Sequence, residues 1–250
     1  MTSRLPKTGL AILALVLGSA VLAGVMYQRY YPQEVLRHIV TVVIDTPVGQ
    51  SAGSSVIETM IGEEPKIFPQ SDYIYSDVEG EAVTVRLPDG QLLFALLSAQ
   101  DGNGADSYQL DLMRDAVASD PDLLRQLGAE LIDDWRRFRP LARKRELKAI
   151  LQPEDYPMLV TFSDLDDPTS VELVDPDDLA ATFGEGISLQ YMMVASTKAR
   201  PTRGIEQTLP WLEKVGRQRA TLKPNPPRLL KDSTPIDLVT PSDFSTELYR

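Results

Sequence analysis

The chain contains no cysteine and a single histidine, His38. The first absence removes disulfides, thiolate nucleophiles, thiolate-held iron–sulfur clusters and every cysteine-based zinc site. The second removes any metal site built from several histidines of one chain, the HExxH helix included. Positive charge is also scarce: 25 Lys and Arg face 36 Asp and Glu, a formal net charge of −11. Such a surface repels backbone phosphates, which excludes nucleic acid as a partner of the protein as a whole. Two tryptophans are all the chain offers for stacking on sugar rings. There is no P-loop, no GxGxxG and no SxxK, and "GSSV" around Ser54 and Ser55 is not a GxSxG elbow. No cofactor is implied.

What the chain does have is an apolar leader. "GLAILALVLGSAVLAGVMY", Gly9 to Tyr27, carries no charge and matches the roughly 20 residues that a bilayer core requires. Arg4 and Lys7 precede it, and Tyr27, Tyr30 and Tyr31 close it as an interfacial aromatic group. A cleaved signal would have a shorter apolar core, with Val21-Leu22-Ala23 as its cleavage motif. The run continues to Met26, which favours a retained anchor. Val25 follows "VLAG" where a lipobox needs cysteine, so lipid attachment there is excluded. The basic residues before the span, set against Arg29 and Arg37 after it, favour an amino terminus inside. The organisation expected is a cytoplasmic segment (1–8), a transmembrane anchor (9–27), a linker (28–36), one domain (37–215) and a Pro-rich extended or disordered tail (216–250). The expected location is the bacterial inner membrane, single-pass, with the soluble domain periplasmic.

Beyond the leader the patterning changes to period two. "RHIVTVVIDTP" and "SVIETMIG" read as strands, and Pro88-Asp89-Gly90 reads as a turn between "EAVTVRL" and "QLLFALL". A four-stranded antiparallel meander over about Arg37 to Leu97 follows. Leu124, Leu127, Leu131, Trp135 and Phe138 then recur at steps of three and four, which predicts a helix face. Ser119 or Asp120 caps that helix, Pro121 opens it and Pro140 ends or kinks it. "SYQLDLMRDAVA" predicts a shorter helix, and "YPMLVTFSD", "TSVELV" and "ISLQYMMVAST" predict strands. Between the last two, Asp175 caps a compact helix, Pro176 opens it, and Gly184 stops it. Strands, then helices, then strands argue for an α+β fold, with helices on one face of an antiparallel or mixed sheet.

The acids are concentrated. Ser163 to Gly186 holds six aspartates and two glutamates. An EF-hand beginning at Asp164 fails, because Pro168 and Thr169 stand at positions 5 and 6. Asp101, Asn103 and Asp106 in "DGNGAD" are a second calcium candidate, without the downstream acid that the motif needs. Turn formation by Asx side chains and glycine accounts for both stretches. Asp164 and Asp166 near a strand end are the candidate catalytic pair of a hydrolase acting across a sugar cleft. His38 reads as a strand or interface residue rather than a general base. One stretch inverts the charge: Arg136, Arg137, Arg139, Arg143, Lys144, Arg145 and Lys148 would suit an anionic surface such as lipid headgroups. A solvated helix end, complementing the carbonyl terminus, explains them more simply.

Four stretches, "DTPVGQSAGSSVIE", "LPDGQLLFALL", "YPMLVTFSDLDDPTSVELVDPDDLAATFG" and "TRGIEQTLPWL", give the chain a further likeness. Through them it resembles a group of uncharacterised single-span membrane-anchored bacterial proteins. The resemblance covers most of Arg37 to Leu212 and implies one intact domain behind an anchor; it supplies no activity and no site residue. The function expected is a membrane-anchored, non-enzymatic envelope protein, its partners the bilayer through residues 9–27 and another envelope protein. The alternatives are a periplasmic hydrolase using Asp164 and Asp166, and a calcium-dependent binding module.

Overall fold

A computed structural model describes residues 7–30, 33–63, 74–127, 146–215, 220–224, 226–227 and 233–247. The fold is α+β, with two antiparallel sheets and few helices. It divides into two compact units: Met1–Val35 with Met60–Tyr75, and Leu36–Thr59 with Ser76–Arg250.

The first unit is dominated by α1 (Lys7–Tyr30), a continuous helix of 24 residues. From Leu13 to Tyr27 every side chain described is exposed, including Leu15, Leu17, Val21 and Leu22. Among the described residues no helix is long and apolar enough to cross a membrane. The side chains described in α1 run only from Leu13 to Tyr27, a stretch shorter than the roughly 20 residues of a bilayer span. Elsewhere in this unit Gln33 Nε2 donates to the Tyr75 hydroxyl at 2.6 Å. The Tyr75 ring lies where a Cβ at Gly62 would fall, 2.4 Å away, so residue 62 must be glycine for the ring to lie there.

The second unit holds most of the strands. β1 (Glu34–Thr46) and β2 (Gly49–Glu63) turn at Pro47–Val48, where Thr46 Oγ1 donates to the Gly49 carbonyl. Along β1, Leu36, His38, Val40, Val42 and Ile44 are buried while Arg37, Ile39 and Thr41 are not, the period-two signature of a strand with one face inward. The sheet order is β3-β2-β1-β9-β6, with β3 (Ile74–Glu79), β6 (Lys148–Ile150) and β9 (Ser188–Ser196). β9 runs antiparallel to β1 from His38 opposite Ser196 to Asp45 opposite Ser188. The second sheet has the order β4-β5-β7-β8: β4 (Val83–Arg86), β5 (Leu92–Ala99), β7 (Pro157–Phe162) and β8 (Val171–Leu173). The expected four-stranded meander is therefore split, its first two strands (β1 and β2) in one sheet and its last two (β4 and β5) in the other, with β3 added to the first sheet. Every residue of β5 and β7 is buried. Such a sheet is covered on both faces, so its sequence shows an unbroken apolar run rather than alternation.

One cover is helical. α2 (Ala105–Ala118) buries Tyr108, Gln109, Leu112, Met113, Ala116 and Val117 and packs on β5, β9 and β6, touching strands of both sheets. α3 (Pro121–Leu127) begins at the expected proline, with Asp120 Oδ1 accepting from Asp122 N; the rest of the predicted helix face lies outside the described residues. The helices thus do not lie on one face of a single sheet.

The other cover is irregular chain. Leu92, Phe94, Leu96, Met158, Val160 and Phe162 pack against Ile205, Leu209, Trp211 and Leu212, and against Leu222, Val239 and Phe244 from the carboxyl-terminal segment. The Phe244 ring meets Phe94 edge-on at 5.9 Å and Trp211 at 5.8 Å, and lies tilted 5.7 Å from Phe162, within the range that aromatic pairs prefer. The described part of 220–247, in the stretch expected as a Pro-rich extended or disordered tail, is packed on the body. It is a strap, fastened by Ala82 N to the Phe244 carbonyl (2.8 Å), Thr246 N to the Gly80 carbonyl (3.1 Å) and Leu222 N to the Val239 carbonyl (2.8 Å). Two Thr-Pro-x-Asp capping boxes, at Thr234 and Thr240, shape it locally.

The compact helix after β8 also starts later than expected. α4 is Leu179–Phe183, capped by Asp178 through Ala181 N, and α5 is Leu212–Val215. Asp175 instead closes an Asx turn onto Asp177 N at 2.9 Å, which pushes the helix start three residues on. Gly184 ends α4 at φ 102°, as the sequence predicts.

Candidate functional site

The aspartates of residues 163–178 come together as a chain of turns. Asp164 Oδ1 accepts from Asp166 N at 3.0 Å, and Asp167 Oδ1 accepts from both Thr169 N (2.9 Å) and Thr169 Oγ1 (2.7 Å). The Thr169 contacts hold the Asp167 carboxyl below the usual carboxylate range. Ser170 Oγ donates to the Asp164 carbonyl and receives the Asp164 N–H. Asp164 and Asp166, the candidate catalytic pair, are thus neighbours in one exposed loop, one carboxylate holding the other's amide.

Asp101 behaves in the same way. Its Oδ1 accepts from Asn103 N at 2.9 Å, while Ala99 N donates to the Asn103 carbonyl and Gly102 takes a positive φ of 88°. Asp106 belongs to the first turn of α2, and partial burial, with Asp77 nearby, raises its pKa. Among the described residues no group of three or more His, Asp or Glu side chains is placed to hold a metal ion. Of the basic cluster, Lys148 is exposed at the start of β6; Arg136, Arg137, Arg139, Arg143, Lys144 and Arg145 lie outside the described residues.

Three arrangements were not read from the sequence. The first is a buried polar chain between the sheets. His38, on β1, is fully buried and its Nε2 lies 2.8 Å from Gln109 Oε1 on α2. Gln109 Nε2 in turn donates to the Leu97 carbonyl on β5 at 2.7 Å. Because the amide nitrogen is spent on Leu97, the oxygen faces the imidazole, so Nε2 carries the proton. Nδ1 is then a bare acceptor, and it has no partner. Burial lowers the pKa of His38 to about 4, with the Gln109 bond opposing.

The second is Glu81, an 8% exposed carboxylate that accepts from Ile205 N at 2.8 Å. Burial raises its pKa, the amide bond opposes, and Glu206 and Glu247 push it further up. Arg203 next to it pairs with Glu79 and with Glu247, so the strap is tied electrostatically to β3.

The third is an acidic edge beside α2, where Arg114 sits 3.0 Å from Asp111 and 3.7 Å from Asp115. Asp115 and Asp155 are both raised, first by burial and then by neighbouring acids. A hollow of about 310 Å³ lies at the start of α2, lined by Asp106 and Ser107 and by Ser242, Asp243 and Thr246 of the strap.

No signal in the sequence pairs His38 with Gln109, 71 positions away. No family model, curated protein or solved structure matches the chain.

Proposed function

We propose that the protein is a membrane-tethered, non-enzymatic component of the bacterial envelope, held in the inner membrane by α1, with its α+β body on the periplasmic side serving a protein partner. The observation that carries this reading is α1 itself. Within it the sequence carries no charge from Gly9 to Tyr27, a run close to the roughly 20 residues that a hydrocarbon core requires. Lys7 and Arg29 at its ends are its only charged residues, and its large apolar side chains from Leu13 to Met26 are exposed. A bilayer is the solvent that such a surface fits.

The aspartate-rich loops support the non-enzymatic part of the reading. Asp164, Asp167, Asp175 and Asp178 each spend a carboxylate oxygen on a backbone amide two or three residues on. That is the work of turn and cap residues. The resemblance to single-span membrane-anchored proteins belongs to the same reading.

The absence of cysteine makes the test clean. Lys198→Cys, at an exposed position after β9, would give a single thiol in the full chain. In intact cells with a permeabilised outer membrane, a membrane-impermeant maleimide should label it as fully as after lysis. Labelling only after the inner membrane is broken would place the body in the cytoplasm and reject the reading.

A further inference from the structure

We propose that the His38–Gln109–Leu97 chain is an acid-sensitive latch, and that protonation of His38 releases α2 from the two sheets while the four-stranded sheet stays folded. The geometry points there for three reasons. The chain is the polar connection between β1, α2 and β5, and all three of its parts are buried. Its hydrogen-bond order is fixed, since Gln109 has one donor on Leu97 and one acceptor on the imidazole. The site offers nothing to a second proton: Nδ1 has no partner, so an imidazolium would carry a buried N–H with no acceptor.

The neighbouring charges do not rescue it. The elements packed around His38 carry Glu34, Arg37 and Asp45 on β1, Glu58 and Glu63 on β2, Asp106, Tyr108, Asp111, Arg114 and Asp115 on α2, Lys148 on β6 and Tyr191 on β9; β5 carries none. Arg37 pairs with Glu58, and Arg114 with Asp111 and Asp115. None of them hydrogen-bonds the imidazole. An imidazolium can therefore be satisfied only by water, which reaches it when α2 moves away. Burial, which holds the neutral imidazole down to about pH 4 in the closed form, supports the same conclusion. An open form titrates near 6.5, so the open population rises as pH falls from 6.5 toward 4. The raised carboxylates on this side, Asp106, Asp115 and Asp155, act with the opposite sign. Their protons bind more tightly in the closed form, so they tighten α2 as pH falls.

The test is hydrogen exchange on the full chain in detergent micelles, at pH 7.5 and 5.0, corrected for the intrinsic pH dependence of exchange. At pH 5.0, amides of the buried face of α2 should lose about 30-fold in protection, because pH 5.0 lies about 1.5 units below a titration at 6.5 and still above one at about 4, and β7 amides should hold theirs. Unchanged α2 protection, or an equal loss in β7, overturns the latch. In His38→Gln the acid loss at α2 should vanish, and its persistence overturns the assignment to His38. The wild type decides the matter independently of the variant's folding, because its only histidine gives one imidazole resonance. A midpoint below 5 is expected, and a midpoint near 6.5 in the folded protein overturns the proposal.

Discussion

Two of the most apolar stretches in the chain meet opposite fates. "LAILALVLGSAVLAGVM" forms α1, whose described side chains are all exposed, whereas "LLFALLSA" forms β5, whose side chains are all buried. Hydrophobicity alone does not separate them. β5 lies between a helical cover, α2, and an irregular one that ends in Phe244. Nothing described in the unit that contains α1 covers it. The lesson is that an apolar run reports a demand for a non-aqueous neighbour, and the neighbour can be protein or lipid. The two environments predict different responses to the same kind of change.

Crossed substitutions give the largest expected effects. Leu15→Arg together with Val21→Arg should move the full chain out of the membrane fraction, each arginine costing about 2.5 to 3.5 kcal/mol near the bilayer centre. The melting temperature of the body should be untouched. Phe94→Ala should do the reverse, lowering the unfolding free energy by about 3 to 5 kcal/mol and leaving membrane retention intact. If both variants fall in both assays, the two apolar regions are not independent and the comparison fails. Phe244→Ala probes the strap. A loss of about 3 kcal/mol in urea unfolding is expected if the ring is as much a part of the core as Phe94, and a change below about 0.5 kcal/mol would return the segment to a free tail.

Smaller effects test the polar groups. The raised pKa of Glu81 means that its proton is held more tightly folded than unfolded. Its contribution to stability therefore falls as pH rises from about 4.5 through the raised value. Glu81→Gln should remove that negative slope from a plot of urea midpoint against pH; an unchanged slope would assign it elsewhere. Asp178→Ala should cost about 1 kcal/mol, the usual worth of an N-cap. Asp164→Asn keeps an oxygen for the Asp166 amide and should stay within about 0.5 kcal/mol of wild type.

Local grammar in this chain was readable where turn chemistry is explicit. Pro88-Asp89-Gly90 makes its turn, with Gly90 at φ 94° and its N–H on the Leu87 carbonyl. Pro121 opens α3, Gly184 closes α4, and β7, β8 and β9 fall where their apolar runs predict. Pairing at a distance was not readable. A run of strands joined by turns looks like a meander whether or not the chain changes sheets. Nor is the close approach between β2 and β4 marked by more than one residue: a Cβ at Gly53 would sit 2.2 Å from the Thr84 carbonyl oxygen. The strap has no signature in the sequence because Leu222, Val239 and Phe244 are isolated apolar residues among prolines, with no period to mark a buried face. Asp175 and Asp178 both satisfy the rule for a helix cap, and only the Asx turn between Asp175 and Asp177 decides that the later one does the capping. His38 and Gln109 each look unremarkable alone; folding alone joins them.

The central claim is that α1 resides in a bilayer while the body folds independently of it. Alkaline carbonate extraction of membranes from cells producing the full chain, beside a chain that begins at Gln33, tests this most directly. The account predicts that the full chain stays in the pellet and the shortened chain is recovered, folded, in the supernatant. Release of the full chain into the supernatant, with its leader intact, would contradict it.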